Sequence, residues 1–420
     1  MATMPPSLWR HPAFMTLLTG QTISLIGSEV SALALPLTAV LVLNANPAQM
    51  GILRAVEYAP AALFGLFAGV WIDRIRRRPV LIVTDLGRGL LLGSVPLAIF
   101  LGVRQLGYLY VVAFLVGMLS IFFAVAYQAY LPSLVQRESL AEANGRLEAS
   151  RSVAGIIGPG LSGTLVQLLT APIAILVDAT SFFVSALAMV FIRTPEPVPE
   201  PRQHNMWREI GEGLRLTLGH RLLRTGLITS AIFNLFAGIL NSQYVLYATR
   251  ELHISPLQLG AIGVVSSVCG LLMAVFAGWL GARFGIGRMI VVATFLIGAG
   301  WLVLPLVQGD PQLATVFIAA GTSCGAMGDA LYNVNSVTLR QLLTPHALQG
   351  RVSASMRAII WGIQPIGALA GGALGVTIGL RATLLLTAAG FLVGFLFALS
   401  SPLRNLRNIS PIDEPAQVIA

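Results

Sequence analysis

Apolar residues run along this chain in twelve stretches too long and too continuous for the core of a soluble domain. They fall at 14–41, 48–72, 79–101, 107–132, 147–170 and 172–192, and then at 223–248, 256–282, 288–308, 312–340, 352–378 and 382–400. As helices rising about 1.5 Å per residue, segments of roughly twenty residues cross the ~30 Å of a bilayer's hydrocarbon. The pattern therefore predicts twelve transmembrane helices, and an even number places both termini on one side.

One connection is long. Residues 193–222 open with Pro195, Pro197, Pro199 and Pro201, and prolines at alternate positions keep a chain extended. From Met206 to Leu218 the pattern turns helical, with Trp207, Ile210, Leu214 and Leu218 on one stripe, which predicts an interfacial helix tying two halves together. The expected organisation is an N-terminal six-helix half over 1–193, a cytoplasmic linker over 194–222, a C-terminal six-helix half over 223–401 and a cytoplasmic tail over 402–420.

Internal repetition supports two halves. The loop Gly69-Val-Trp-Ile-Asp73-Arg74-Ile-Arg76-Arg77-Arg78 after the second segment has a weaker copy, Gly278-Trp-Leu-Gly-Ala282-Arg283-Phe-Gly285-Ile-Gly287-Arg288, after the eighth. Arg151 precedes Pro159 by the same interval as Arg357 precedes Pro365, and Gly145-Arg146 is echoed by Gly350-Arg351. Several matches at a nearly constant offset indicate duplication. The fold class expected is an all-α polytopic membrane protein of twelve transmembrane helices in two pseudo-symmetric halves, an arrangement that belongs to secondary transporters.

Composition narrows the chemistry. Only 10% of the 420 residues are charged and 56% are hydrophobic, against about a quarter charged in soluble domains. All 26 basic residues are arginine, so neither a Walker A phosphate loop nor a Schiff-base lysine can exist in this chain. That leaves an ion gradient, or the substrate's own, as the energy source. No His-Glu-x-x-His pair or Gly-x-Ser-x-Gly elbow is present, and the reading is not an enzyme, with no cofactor and no metal. Cys269 and Cys324 lie in apolar segments as small packing residues. The net charge of +9 is spread over short loops and does not line one face, which argues against nucleic acid. Of the arginines, 21 fall on the side of the termini, four (Arg54, Arg104, Arg250, Arg381) on the other, and Arg88 lies inside the third segment. The positive-inside bias then puts both termini in the cytoplasm. The first segment reads as a retained helix and not a cleaved signal.

At this point the residues resemble the major facilitator superfamily over nearly the whole chain. Gly69, Asp73, Arg74, Arg77 and Arg78 fit its cytoplasmic loop signature, although Arg76 stands where a glycine is usual. Gly155, Gly158, Pro159 and Gly163 resemble the glycine-proline motif that this superfamily associates with antiporters, with Ser162 replacing one glycine. The fourth helix lacks the intramembrane arginine of many proton-driven drug antiporters. Gln21-Thr-Ile-Ser-Leu-Ile-Gly27, Leu131-Pro132-Ser-Leu-Val and Asp178-Ala-Thr-Ser181-Phe182 are similar to the branch holding macrolide and enterobactin exporters. The resemblance implies proton-coupled efflux of amphipathic small molecules by alternating access, from a monomer in a bacterial inner membrane whose partners are the solute, protons and the bilayer. An importer or facilitator of a small solute or lipid is the alternative.

Charged groups within a bilayer cost ~2.5–3.5 kcal/mol on insertion scales and face a bundle interior or wet cavity. Glu29 lies mid-way along the first helix with no cation three or four positions away; it reads either as a proton carrier or substrate counter-ion, or as a packing residue satisfied by Ser28 or Ser31. Asp329 sits at a similar depth in the tenth helix near Tyr332 and Asn333, and reads as coupling or binding group or as an interhelical hydrogen bond. Asp178 divides between packing and relay. Gln128 and Asn234 offer hydrogen bonds to a substrate. Asp85 and Arg88, three apart, pair on one helical face with a structural or gating role, and Arg54 with Glu57 likewise. Asp73 with Arg74, Arg77 and Arg78 reads as a conformational latch, to which Gly69, Asp85 and Arg88 also belong.

Overall fold

A computed structural model describes residues 8–194, 196 and 206–406. The alternate prolines Pro195, Pro197, Pro199 and Pro201 and the tail beyond 406 lie outside the described residues. Among those described, there are twelve helices of 21 to 32 residues and one shorter helix, and no strand. The first six long helices are α1 (Pro12–Leu37), α2 (Pro47–Ile72), α3 (Arg77–Phe100), α4 (Leu106–Leu134), α5 (Leu140–Leu168) and α6 (Ala171–Phe191). The short α7 (Met206–Gly219) precedes α8 (Arg221–Arg250), α9 (Pro256–Phe284), α10 (Ile286–Leu306), α11 (Pro311–Leu342), α12 (Gln349–Thr377) and α13 (Leu380–Ser400).

Ten of these helices are long and apolar enough to cross a membrane. Of the other two long ones, α2 pairs Arg54 with Glu57 at 2.8 Å, and α5 pairs Arg146 with Glu142 at 2.5 Å while its Glu148 and Arg151 are exposed. For Arg54 and Glu57, inside the second apolar stretch, satisfying a charge locally is the least costly way to carry it beside hydrocarbon. The first helix continues past Pro36 as a π-helix over Thr38–Val42, where a missing amide donor loosens the ladder.

The chain divides into two compact units: Met1–Gln203 with Ser255–Val264, and His204–Ile254 with Val265–Ala420. In the first, α1 packs against α5 and α6, α3 against α4 and α6, and α2 against α4. In the second, α8 packs against α12 and α13, and α10 against α11 and α13, the same plan half a chain later. The likeness extends to backbone detail. After α1 the Ala45 amide donates to the Ala39 carbonyl at 2.8 Å, and after α8 the Ile254 amide donates to that of Ala248 at 2.9 Å. Asn44 and His253, at corresponding places, both have φ of 53°. Each is followed by a reciprocal cap, Asn46 with Gln49 and Ser255 with Gln258, and by a proline at the first helical position.

Candidate functional site

In the first unit the polar groups collect around α1. Gly27 of α1 lies against Ser181 and Asp178 of α6, and any side chain there would strike both. Asp178 is 1% exposed. Its carboxylate accepts from Ser181 at 3.3 Å and, at the limit of hydrogen bonding, from Ser28 at 3.5 Å. Ser28 thus turns toward Asp178 and does not serve Glu29 as the sequence reading allowed.

Glu29, half-buried, occupies the next face and meets Gly158 of α5, where a Cβ would collide with the glutamate's own Cβ. Ser162, one turn on, donates to the Val30 carbonyl at 2.9 Å. The glycine-proline motif therefore seats Glu29. Its other members approach the stretch Ser255–Val264: a Cβ on Gly163 would lie 2.9 Å from the Gly260 Cα, and Gly263 faces the Pro159 ring. Gly155 has open space. Among the described residues Glu29 has no hydrogen bond or ion pair, and Gln128 on α4 is exposed.

Beneath Asp178 lies the Asp85–Arg88 ion pair on α3. Arg88 is 6% exposed, with its guanidinium 4.2 Å from the Phe123 ring centroid on α4 and 4.1 Å from that of Phe182 on α6. It also lies within electrostatic reach of Asp178. A desolvated cation between two aromatic faces gains ~2 kcal/mol or more, so this sandwich clamps α3 to α4 and α6.

The Asp73 loop uses its residues unequally. Asp73 ends α2 and is exposed, as is Arg74. Arg77 pairs with Glu196 at 3.4 Å, and the Glu196 carboxylate accepts from the Arg77 and Arg78 amides at 2.7 and 3.2 Å, at the start of α3. A carboxylate there satisfies orphan amides and the positive end of the helix dipole. Arg78 reaches the end of α6, donating to the Met189 and Val190 carbonyls at 3.0 and 2.8 Å. Sequence reasoning passed over Glu196, 119 residues from Arg77, because nothing local marks such a cap.

In the second unit Asp329 is exposed on α11 with no hydrogen bond or ion pair among the described residues. The face it occupies is polar: Thr322, Asp329, Asn333, Ser336 and Arg340 recur at helical spacing, while Leu313, Val316 and Phe317 stand exposed elsewhere on the helix. Thr322 bonds Ser266 of α9 at 2.7 Å, and Tyr332 bonds Ser230 of α8 at 2.8 Å while stacking on Phe233. Asn333 is exposed. Asn234 donates to the Ser230 carbonyl and accepts from Gln364 of α12 at 2.9 Å, so part of its hydrogen-bonding capacity is already used. Asn335 is buried and donates to the Ala277 and Leu331 carbonyls, bringing α11 against α9 beside Gly281. Helix α7 lies on α12 through Glu212 with Arg351 and through the Ser355 hydroxyl, which donates to the Ile210 carbonyl at 2.9 Å.

Two repeated bundles of membrane-crossing helices, with carboxyl groups left unpaired inside the spans, define a polytopic membrane transporter. The sequence profile of the Major Facilitator Superfamily matches residues 17–246 and again 226–419, and the chain belongs to that family. It is 27% identical to the multidrug efflux pump Tap of Mycobacterium tuberculosis (strain ATCC 25618 / H37Rv) over 418 residues, covering 97% of this chain and 98% of that one. It is 26% identical to the enterobactin exporter EntS of Citrobacter koseri, covering 97% of this chain and 96% of that one. The macrolide efflux protein A of Streptococcus pyogenes is 22% identical, with 84% and 87% covered. Among solved structures, the nucleoside transporter NupG superposes with a TM-score of 0.75 at 12% identity, covering 92% of this chain and 98% of that one. A bacterial homologue of the iron transporter ferroportin in an inward-facing state gives 0.70 at 17% identity, covering 94% and 98%.

Proposed function

We propose that this transporter is a proton-coupled exporter of amphipathic small molecules, working as a monomer by alternating access in a bacterial inner membrane with both termini in the cytoplasm. The observation that carries the reading is the pair of unpartnered carboxyls, Glu29 and Asp329, each held in a membrane-spanning helix. A carboxyl without a fixed cation can exchange a proton for a substrate, whereas Asp85, bound to Arg88, cannot do so without abandoning a buried charge. Asp178 stands between these cases as a relay, with Gln128, Asn234, Tyr332 and Asn333 as hydrogen-bonding groups toward the solute. The likeness to efflux pumps for drugs, macrolides and a siderophore supports export. The latch rests on Gly69, Asp73 and Arg74, whose loop Arg77 and Arg78 anchor and the Asp85–Arg88 pair braces. One proton moved down the membrane potential supplies ~2.3 kcal/mol per 100 mV.

The test is transport of ethidium in inside-out vesicles under an imposed pH gradient. Wild-type protein should accumulate the dye, and Glu29→Gln and Asp329→Asn should each lower the gradient-driven rate about tenfold or more, the scale of one charge-assisted contact. Undiminished gradient-driven transport in both variants would remove the coupling reading. Dye that leaves these vesicles faster with the protein than without it would remove export.

A further inference from the structure

Where α13 ends, one face of the helix and the turn that follows it form a groove of about 530 Å³, lined by Val393, Leu396, Phe397, Leu399, Ser400 and Arg404. Four of the six are apolar, and Val393 and Leu396 are 58% and 57% exposed. Because α13 is one of the membrane-crossing helices, that face is turned to acyl chains and not to water. Arg404 is the one charged group in the lining.

The turn that carries Arg404 is held in place by its neighbours. Leu403 is 0% exposed and packs with Leu223, Ile290, Leu339 and Leu343. Its amide donates to the Ser401 hydroxyl at 3.3 Å, and its carbonyl accepts from the Leu406 amide at 3.1 Å. Gly287, at the start of α10, lies so close to that carbonyl that a Cβ there would strike it. The next residue, Arg288, is exposed, so a second cation stands at this end of the two helices.

Depth decides what meets Arg404. The apolar span ends at Ser400, and the few residues beyond it enter the headgroup layer, which adds about 5–7 Å on each side of the ~30 Å hydrocarbon core. The anion at that level is the lipid phosphate. Apolar walls beside a guanidinium match a lipid's acyl chains beside its phosphate, and the planar fork of N–H donors fits phosphate oxygens. A zwitterionic lipid brings its own cation to this end, whereas an anionic lipid leaves the attraction of the arginines uncancelled. We propose that this groove binds an anionic phospholipid, with its phosphate on Arg404 and an acyl chain along Val393, Leu396 and Phe397. The inference does not rest on the direction of transport or on protons.

The experiment puts a reporter in the groove of the full-length protein by Leu396→Trp and reconstitutes it in phosphatidylcholine vesicles. Brominated acyl chains quench a tryptophan they touch, and the signal of the parent protein with its six native tryptophans is subtracted. At equal low mole fraction, brominated phosphatidylglycerol should quench the reporter about fivefold more than brominated phosphatidylcholine, the effect of one arginine at an anionic surface. The preference should shrink as salt rises. Arg404→Gln in this background should bring it close to one, and Arg404→Lys should keep part of it, since charge remains without the fork. Equal quenching by the two lipids would overturn the proposal, and so would a preference undiminished in Arg404→Gln. A last arm ends the chain after Leu406. A preference seen in both lengths supports the lipid, and one that appears only in the shortened chain assigns the groove to residues 407–420 and overturns it.

Discussion

Arg88 shows how little of an intramembrane charge's meaning lies in its own helix. Its partner Asp85, three positions earlier, is legible from spacing alone, and the ion pair forms. The two rings that enclose it come from α4 and α6, 35 and 94 residues further on, and no periodicity announces them. The consequence is energetic. Asp85→Ala leaves an uncompensated guanidinium between two aromatic faces and should destabilise the protein by about 3–5 kcal/mol, the cost of breaking a buried pair by removing one member. Replacing both, Asp85→Ala with Arg88→Met, should recover much of that loss, because no charge is left buried. Thermal unfolding in detergent measures both; a double variant no more stable than the single one would mean that the cation's packing, and not its lost partner, sets the cost. Glu29 and Asp329 are the opposite kind of residue. They stand out in the sequence for having no neighbour of opposite charge, and none of the described residues supplies one.

At the scale of elements, helix centres were legible because twenty apolar residues have few other uses, and the ends were legible only where chemistry marks them. Asn46, Pro47 and Gln49 start α2 one residue from the expected place. By contrast α5 begins at Leu140, seven residues before the apolar stretch, because Glu142, Asn144, Arg146 and Glu148 continue the helix with no hydropathy signal. Contacts between helices were not legible at all. Glu29 and Gly158 were each singled out, for burial cost and for motif likeness, yet nothing in either segment says that one seats the other. Their crossing is also where the two units differ. Gly238 of α8 stands where Glu29 stands in α1, and it approaches the Gln364 carbonyl and the Gly367 backbone. The first unit thus sets a large residue against a small one where the second brings two backbones together. Gly158→Val should therefore drive α5 off α1 and cost about 1–3 kcal/mol by overpacking. Adding Glu29→Gly to that variant restores room and should return part of the stability. The unfolding midpoints of the single and double variants decide it, and an additive further loss in the double would show that the two residues do not share a contact.

For the whole molecule, duplication fixes the plan, and the arginine bias is what the proposed orientation rests on. The two units share helix order, packing partners and even the strained backbone at Asn44 and His253, yet the acids are not shared: Glu29 corresponds to Gly238 and Asp73 to Ala282. Shared features carry the scaffold, and the unshared ones are where transport chemistry is to be sought. Orientation is a separate matter, because a bundle is equally stable either way up and only the loops distinguish its sides. Twenty-one arginines on one side against four on the other is a large bias for short loops, and insertion responds to it by retaining the basic side in the cytoplasm. Alkaline phosphatase, active only outside the cytoplasm, should therefore be inactive when fused after Arg404 or after Ile75, and active when fused after Gln105 or after Leu252. Green fluorescent protein should show the reverse. Activity at both Arg404 and Gln105 would mean that the spans between them are even in number, and activity at Arg404 with none at Gln105 would turn the molecule over, placing Asp73 and its arginines outside, where no cytoplasmic latch could use them.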